Sequence, residues 1–230
     1  MQADLDFALY EGEMVCMLGP NGCGKSTLLR TLAGLQPALG GSYQLKANDQ
    51  ESTAKSIALV LTERLSMDNT TVHDVVALGR YPFTSFLDGL TAEDERIICE
   101  SLEAVGFSGD GKGISATFFN NHSDGEKQRI LIAKALAQQT PIILLDEPTA
   151  HLDLPHRILI LRLLRQLAHE QGKTILISTH ELDLALALSD RILLMTPGKG
   201  VQLDTADNLK KTNAFTSAFS MDIFNPLGVE

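Results

Sequence analysis

A glycine-rich run between an apolar strand and a helix constrains this chain more than any other feature of its sequence. Residues 14–18 are apolar and lead directly into the pattern G-x-x-x-x-G-K-S at positions 19–26, after which helical spacing continues to Ala33. In this order of strand, loop and helix, the backbone N–H groups of the loop converge on phosphate groups. The predicted phosphate-binding residues are Gly19, Pro20, Asn21, Gly22, Cys23, Gly24, Lys25, Ser26 and Thr27.

Each residue type in this loop has a physical task. The glycines allow the backbone to approach a phosphate closely, Lys25 brings positive charge to the β- and γ-phosphates, and the hydroxyl of Ser26 is a ligand for Mg²⁺. An ordinary tight glycine turn is the alternative interpretation. The flanking strand and helix favour the phosphate-binding interpretation.

Length and charge narrow the class of protein. The chain has 230 residues, of which 44% are hydrophobic and 21% charged, which predicts one α/β domain over residues 1–230. Its formal charge of −10 opposes a nucleic-acid-binding surface, so no nucleic-acid partner is expected. The apolar runs are shorter than the roughly 18 residues that span a bilayer, and no signal peptide is visible, so we expect a cytoplasmic location.

Alternating strands and helices predict a parallel sheet with crossover helices. Between residues 70 and 120 the pattern becomes mostly helical, which predicts a helical subdomain inserted into the α/β domain. The predicted strands are Leu5–Leu9, Met14–Leu18, Ser56–Leu61, Ile142–Leu145 and Thr174–Ser178. The predicted helices are Thr71–Leu78, Ala92–Val105, Ser123–Gln138 and Pro155–His169.

Two carboxylates follow the apolar strand 142–145 directly. Ligands of open α/β sheets bind at the carboxyl ends of the strands. Asp146 is therefore a candidate Mg²⁺ ligand, and Glu147 a candidate for polarising the water that attacks a γ-phosphate. The alternative interpretation is a solvated acidic pair before the turn at Pro148. Together with the phosphate loop, the pair favours the functional interpretation.

Two further positions are candidates for contact with phosphate. Ser123 and Glu126 have the spacing of a capping box, which leaves free N–H groups at a helix start. His180 follows the strand 174–178 at the sheet edge, where it can reach a γ-phosphate. The remaining histidines are interpreted as surface or packing residues: His73, His122, His151, His156 and His169.

Taken in order, these motifs resemble those of ABC ATPase subunits over nearly the whole chain. The resemblance implies an α/β P-loop NTPase fold with a parallel core sheet, a small antiparallel β part and the helical subdomain. It also implies ATP and Mg²⁺ as ligands, with Glu147 and His180 as catalytic residues. By the same resemblance, Ser123 and Gly125 belong to a signature motif that contacts ATP on a second copy of the chain, and Asp153 belongs to the D-loop.

The segment from Gly79 to Phe83, with 90–95 after it, resembles the helical subdomain of importers for iron-siderophore complexes, haem or cobalamin. This resemblance implies that membrane permease subunits bind the chain on the cytoplasmic face of the membrane. A solute-binding protein would then be an indirect partner. The alternatives are a soluble ABC ATPase acting in DNA repair or translation, and a regulatory protein without turnover.

The sequence departs from the family pattern at three places. Asp124 stands in a signature motif that usually reads Leu-Ser-Gly-Gly, so its side chain is expected to point away from the phosphate. Thr62 or Glu63 takes the place of the usual Q-loop glutamine. No strand that supplies an aromatic residue to adenine precedes the loop, and Tyr10 is expected to have a structural role, so we expect weak ATP binding.

Overall fold

A computed structural model describes residues 5–44, 53–61, 67–84, 89–107 and 112–219. Its centre is a mixed, mostly parallel sheet of six strands in the order β2-β3-β4-β1-β5-β6. The strands are β1 Met14–Leu18, β2 Ile57–Val60, β3 Ile142–Asp146, β4 Thr174–Ser178, β5 Arg191–Thr196 and β6 Gly200–Asp204. Among the six described strands, β5 and β6 pair antiparallel and the other neighbours pair parallel, so the predicted α/β fold with a small antiparallel part is confirmed.

Helices cover both faces of this sheet. The helices are α1 Lys25–Leu32, α2 Thr53–Ser56, α3 Val72–Ala77, α4 Ala92–Ala104, α5 Lys112–Ser115, α6 Asp124–Ala137, α7 Leu154–Gln171, α8 Leu182–Leu188, α9 Ala206–Lys211 and α10 Ala214–Phe219. Short 3-10 turns lie at Leu78–Arg80 and Phe119–Asn121. In the described part of the chain, no helix combines the length and apolar character needed to cross a membrane.

Side-chain alternation along the strands divides the core into two layers. Met14, Cys16 and Leu18 of β1 face the layer that contains α6 and α7, whereas Val15 and Met17 face the layer that contains α1. All five residues of β1 are buried. This strand is therefore buried on both faces, as its continuous apolar run predicted.

The strand predicted over Leu5–Leu9 is wrong. Phe7 and Leu9 pack against the core, but residues 5–10 form no strand. A strand requires a ladder partner for its backbone, and here a side chain takes that place, since the guanidinium of Arg191 donates to the carbonyl oxygen of Ala8 at 2.9 Å.

The helices of residues 72–104 are joined to α6 by a buried ion pair. Arg80 Nε lies 2.8 Å from Asp94 Oδ1, and the side chains are only 7% and 8% exposed. Arg80 also donates to the carbonyl oxygen of Ala137 at 2.7 Å, and its guanidinium lies over the Phe83 ring. Hydrogen bonds from Thr91, and then from Arg80, lower the pKa of Asp94 to about 2. One arginine therefore ties three helical segments together.

Replacing Arg80 by Met should destabilise the protein, because it leaves the Asp94 carboxylate buried without its charged partner. We expect the free energy of unfolding to fall by about 3 kcal/mol. Since the folded pKa of Asp94 is lowered, its stabilising contribution is present above about pH 4 and is lost as the pH falls towards 2. Urea unfolding from pH 2 to pH 7 would measure both effects.

Arg96→Met is the matched control, because Arg96 pairs with Glu93 and Glu100 on the exposed face of α4. Exposed pairs contribute little to stability, so this variant should unfold like the wild type. If Arg80→Met were no less stable than Arg96→Met, the ion pair would not join these helices as described.

Candidate functional site

The predicted chemical residues meet at one edge of the sheet because three neighbouring strands are in parallel register. Asp146 of β3 pairs with Ser178 of β4, and Ser178 pairs with Met17 of β1. Each strand ends at or just after this row, so the loops that follow leave from the same edge. The distance across two such strand spacings is roughly 10 Å, which is the scale of a triphosphate and its metal ion.

The loop after β1 is folded around the Lys25 side chain. Lys25 is 6% exposed, and its ammonium donates to the carbonyl oxygens of Gly19 at 2.8 Å and of Pro20 at 3.3 Å. Gly24 has a φ of 106°, which L residues with side chains rarely adopt. A Cβ atom on Gly19 would lie 2.7 Å from the carbonyl oxygen of Met195. These glycines are therefore required by backbone conformation and by close packing.

The polar side chains of the loop face outwards. Asn21, Ser26 and Thr27 are exposed, whereas Cys23 is half-buried with its N–H bonded to the carbonyl oxygen of Pro20 at 3.3 Å. Ser26 and Thr27 lie in the first turn of α1, where backbone N–H groups have no partner within the helix. The loop thus presents hydroxyl and N–H donors to solvent and keeps its cysteine behind them.

Ser178 organises the two carboxylates. Ser178 is fully buried, and its hydroxyl donates to Asp146 Oδ1 at 2.5 Å. The Oγ atom of Ser178 also accepts the backbone N–H of Glu147 at 3.0 Å. Asp146 itself is 7% exposed. One hydroxyl thereby orients a buried carboxylate and the backbone of the residue after it. Ser178 was not among the predicted site residues, although its place at the end of an apolar strand is the same signal that identified Asp146.

Glu147 and His180 form a pair at the open side of this edge. Glu147 Oε1 lies 2.5 Å from His180 Nε2, and the side chains are 32% and 45% exposed. The backbone of Glu147 has a φ of 47°, an uncommon value for a residue with a side chain. Such conformations cost about 1 to 3 kcal/mol and cluster at functional sites. The two predicted catalytic residues are thus in contact and open to solvent.

Ser123 and Gly125 lie at the start of α6. The hydroxyl of Ser123 accepts the N–H of Glu126 at 3.3 Å, and Glu126 Oε2 accepts the N–H of Ser123 at 2.9 Å, so the predicted capping box is confirmed. Hydrogen bonds from Ser123 hold the pKa of Glu126 below its ordinary value. Within the described ranges no hydrogen bond joins Ser123 or Gly125 to the phosphate loop. Asp124 is exposed.

Asp153 caps α7 and is paired with a histidine that the sequence interpretation assigned to surface or packing. Its Oδ1 accepts the backbone N–H of His156 at 3.1 Å and lies 2.5 Å from His156 Nδ1. The bond from His156 holds the pKa of Asp153 below its ordinary value. The spacing Asp-x-x-His at a helix start was the signal that could have identified His156.

Two other expectations concern positions beside the site. The guanidinium of Arg191 lies 4.9 Å from the ring centroid of Tyr10, which is 62% exposed, and the structural role expected for Tyr10 stays a prediction. Thr62 and Glu63 lie outside the described residues.

This arrangement can bind a phosphate chain and a divalent cation together. The described residues contain no group of three or more His, Cys, Asp or Glu side chains placed to hold a metal on their own. A carboxylate, a serine hydroxyl and phosphate oxygens are instead the usual ligands of Mg²⁺, which is seldom bound by protein alone. Asp146 and Ser26 fit this chemistry.

Comparison with known protein families supports the interpretation of this site as one that binds a phosphate chain. Residues 3–150 match the family model described as "ABC transporter". An uncharacterised ABC transporter ATP-binding protein of Methanocaldococcus jannaschii is 39% identical over 225 residues, which cover 94% of this chain and 75% of that protein. The iron(3+)-hydroxamate import ATP-binding protein of Bacillus subtilis is 37% identical over 225 residues, covering 95% and 82%.

Solved structures show the same fold. An inward-facing ABC transporter assigned to the metal-chelate type matches with a TM-score of 0.82 and 30% identity, over 94% of this chain and 81% of that chain. A dimeric ATP-binding cassette in a post-hydrolysis state with ADP and Pi matches with a TM-score of 0.70 and 28% identity, over 88% and 89%.

Replacing Ser178 by Ala should disturb both carboxylates, because the Asp146 carboxylate and the Glu147 N–H lose a common partner. We expect the free energy of unfolding to fall by about 1 to 3 kcal/mol. ATP turnover should fall roughly a hundredfold, which is the effect expected when the reacting groups are displaced by about 1 Å. Thermal unfolding and a phosphate-release assay would measure the two effects.

Ser101→Ala is a suitable control, since Ser101 is also buried and its hydroxyl donates to the carbonyl oxygen of Ile97 at 2.7 Å. This variant should lose some stability and keep its turnover. Equal turnover in both variants would mean that Ser178 does not organise the site.

Proposed function

This chain belongs to the ABC transporter family and is an ATPase of that family, and from that premise we propose that it energises a membrane importer. The observation that carries the proposal is that the Lys25 loop, Asp146 and the Glu147–His180 pair lie at one edge of one sheet. Positioning and charge stabilisation are what phosphoryl transfer requires of a protein. We propose the following roles for these residues.

Residues 19–27 bind the phosphate chain of ATP. The exposed N–H groups at the start of α1 and the positive end of its dipole attract the phosphates. The Lys25 ammonium, which donates to two loop carbonyl oxygens in the structure, exchanges those partners for β- and γ-phosphate oxygens. Because this ammonium is already held at the loop, little ordering is required when ATP binds.

Ser26 and Asp146 hold Mg²⁺. When bound, the ion offsets the charge that develops on the phosphate oxygens. Ser178 keeps the Asp146 carboxylate oriented through a bond of 2.5 Å.

Glu147 accepts a proton from the attacking water, and His180 orients the Glu147 carboxylate. The pair is open to solvent, so a water molecule has access to the carboxylate. The left-handed backbone of Glu147 fixes where its side chain leaves the strand. His180 is positioned to donate to the γ-phosphate after ATP binds, when its bond to Glu147 opens.

Two copies of the chain bind ATP head to tail. Ser123, Gly125 and Asp153 contact the nucleotide held by the phosphate loop of the partner. The dimeric structure with ADP and Pi supports this arrangement. Within the described residues, no hydrogen bond joins Ser123 or Gly125 to the phosphate loop of the same chain, which is consistent with a partner's nucleotide as their target.

The transporter partner binds at the helical part of the chain. We propose a single ABC ATPase domain over residues 1–230, with residues 70–120 as its helical subdomain. Tyr81 and Phe83 in this segment are 65% and 41% exposed, as suits residues that contact another protein. The chain would act at the cytoplasmic face of the membrane, beside permease subunits and indirectly with a solute-binding protein.

The imported compound belongs to the iron-siderophore, haem or cobalamin class. Relatives named for import of iron(3+)-hydroxamate and of cobalamin support this class. They give no support to the soluble role in DNA repair or translation that the sequence left open.

Glu147→Gln should bind ATP and hydrolyse it slowly, because an amide cannot accept the proton from water. General bases contribute roughly a hundredfold to ten-thousandfold, so turnover should fall by that factor while ATP affinity changes little. Glu170→Gln, at the exposed end of α7, is the matched control and should retain wild-type turnover. Near wild-type turnover of Glu147→Gln would refute the role of Glu147.

Mixed dimers test the head-to-tail arrangement. If Lys25→Ala chains are co-assembled with Ser123→Arg chains, one composite site should carry both defects and the other neither. Purified mixed dimers should therefore recover about half of the wild-type turnover per dimer if each site hydrolyses ATP independently. Absence of recovery in purified mixed dimers, with both homodimers inactive, would contradict the arrangement or show that both sites must be intact.

A further inference from the structure

Two consecutive residues at the start of α7, His156 and Arg157, contact three parts of the site. These parts are the start of α6 at Gly125, the D-loop at Asp153 and the segment after His180. His156 lies between the D-loop and the start of α6. Arg157 lies between the D-loop and the segment after His180. The proposed mechanism uses neither residue.

The His156 ring occupies the space beside Gly125. A Cβ atom on Gly125 would lie 2.8 Å from His156 Cδ2 and 3.2 Å from Cγ, so a side chain at this position would force the ring to move. Through Nδ1 the same ring is bonded to Asp153. Gly125 is thus a glycine partly because this imidazole packs against its backbone, and the ring links the start of α6 to the D-loop.

Arg157 provides the second link. Its Nε donates to the carbonyl oxygen of Leu152 at 2.6 Å, and its Nη1 lies 2.5 Å from Glu181 Oε1. Glu181 follows His180, and its N–H donates to Thr179 Oγ1 at 3.0 Å. Arg157 therefore fixes the backbone of the D-loop relative to the residues on both sides of His180.

These contacts are too exposed to contribute much to stability. The side chains of His156 and Asp153 are 49% and 63% exposed, and those of Arg157 and Glu181 are 30% and 32% exposed. Ion pairs with this exposure have small effects on folding free energy. These contacts therefore act mainly by fixing the positions of the loops that they connect.

We propose that His156 and Arg157 are positioning residues for ATP hydrolysis. His156 holds the Ser123–Gly125 turn against the D-loop, and Arg157 holds the D-loop against the His180 segment. This inference rests on the proposed function. In a head-to-tail dimer, Ser123, Gly125 and Asp153 serve the partner's nucleotide and His180 serves the chain's own, so the two residues connect the two sites.

The test is a double-variant comparison in the full-length chain, with ATP turnover, ATP affinity and melting temperature measured for each variant. Gly125→Ala should hydrolyse ATP roughly a hundredfold more slowly, because its Cβ displaces the His156 ring. His156→Ala should lose about tenfold in turnover, with its ATP affinity and melting temperature unchanged. The double variant should match His156→Ala alone, about tenfold faster than Gly125→Ala.

Conservative variants separate the parts of each contact. His156→Asn, whose amide can bond to Asp153 in place of Nδ1, should keep most of the turnover. Arg157→Gln should lower turnover about tenfold without a change in ATP affinity. His73→Ala is the control, since His73 is also a helix histidine paired with a carboxylate, Glu95 at 2.8 Å, and it should behave as the wild type.

The outcomes are distinguishable. A wild-type chain that does not hydrolyse ATP would overturn the proposed function itself. An active wild type with full turnover in His156→Ala, or a double variant as slow as Gly125→Ala, would overturn only this inference, because Gly125 would then be needed for another reason. If Gly125→Ala does not fold, recovery of its melting temperature in the double variant supports the contact, and absence of recovery overturns it.

Discussion

The in-register parallel pairing of β3, β4 and β1 is the constraint on which the site depends. Asp146, Ser178 and Met17 form one row across these strands, so a shift of one residue in either pairing would separate the carboxylates from the phosphate loop. Burial fixes the register, since slipping a strand by one residue exchanges its two faces. The apolar core thus determines the geometry of a polar site that contains few apolar atoms.

Ser178 converts this backbone register into side-chain geometry. As the middle member of the row, it donates to Asp146 and accepts from the backbone of Glu147. The start of α7 continues this arrangement, because His156 contacts Asp153 and Gly125, and Arg157 contacts Leu152 and Glu181. Contacts at the sheet edge and contacts between the loops therefore act together to position the site.

Much of this organisation could be predicted from the sequence, because it depends on local patterns. The glycine spacing, the apolar strands at 14–18, 142–145 and 174–178, and the capping box of Ser123 and Glu126 are short-range signals. The structure shows these three strands and this capping box. Ser178 and His156 were missed because their roles depend on partners 31 or more residues away in the chain. The strand expected at Leu5–Leu9 failed for a similar reason, since the residues of a short segment do not reveal whether another strand is there to pair with it.

The most direct test is a structure of the full chain with Mg²⁺ and a non-hydrolysable ATP analogue. The account predicts a γ-phosphate bonded to Lys25, a metal ion between Ser26 and Asp146, and Ser123 of a second copy at the same phosphate. Glu147 should face the γ-phosphorus across one water molecule. A nucleotide bound away from this sheet edge, or a γ-phosphate contacted only by residues of its own chain, would contradict it.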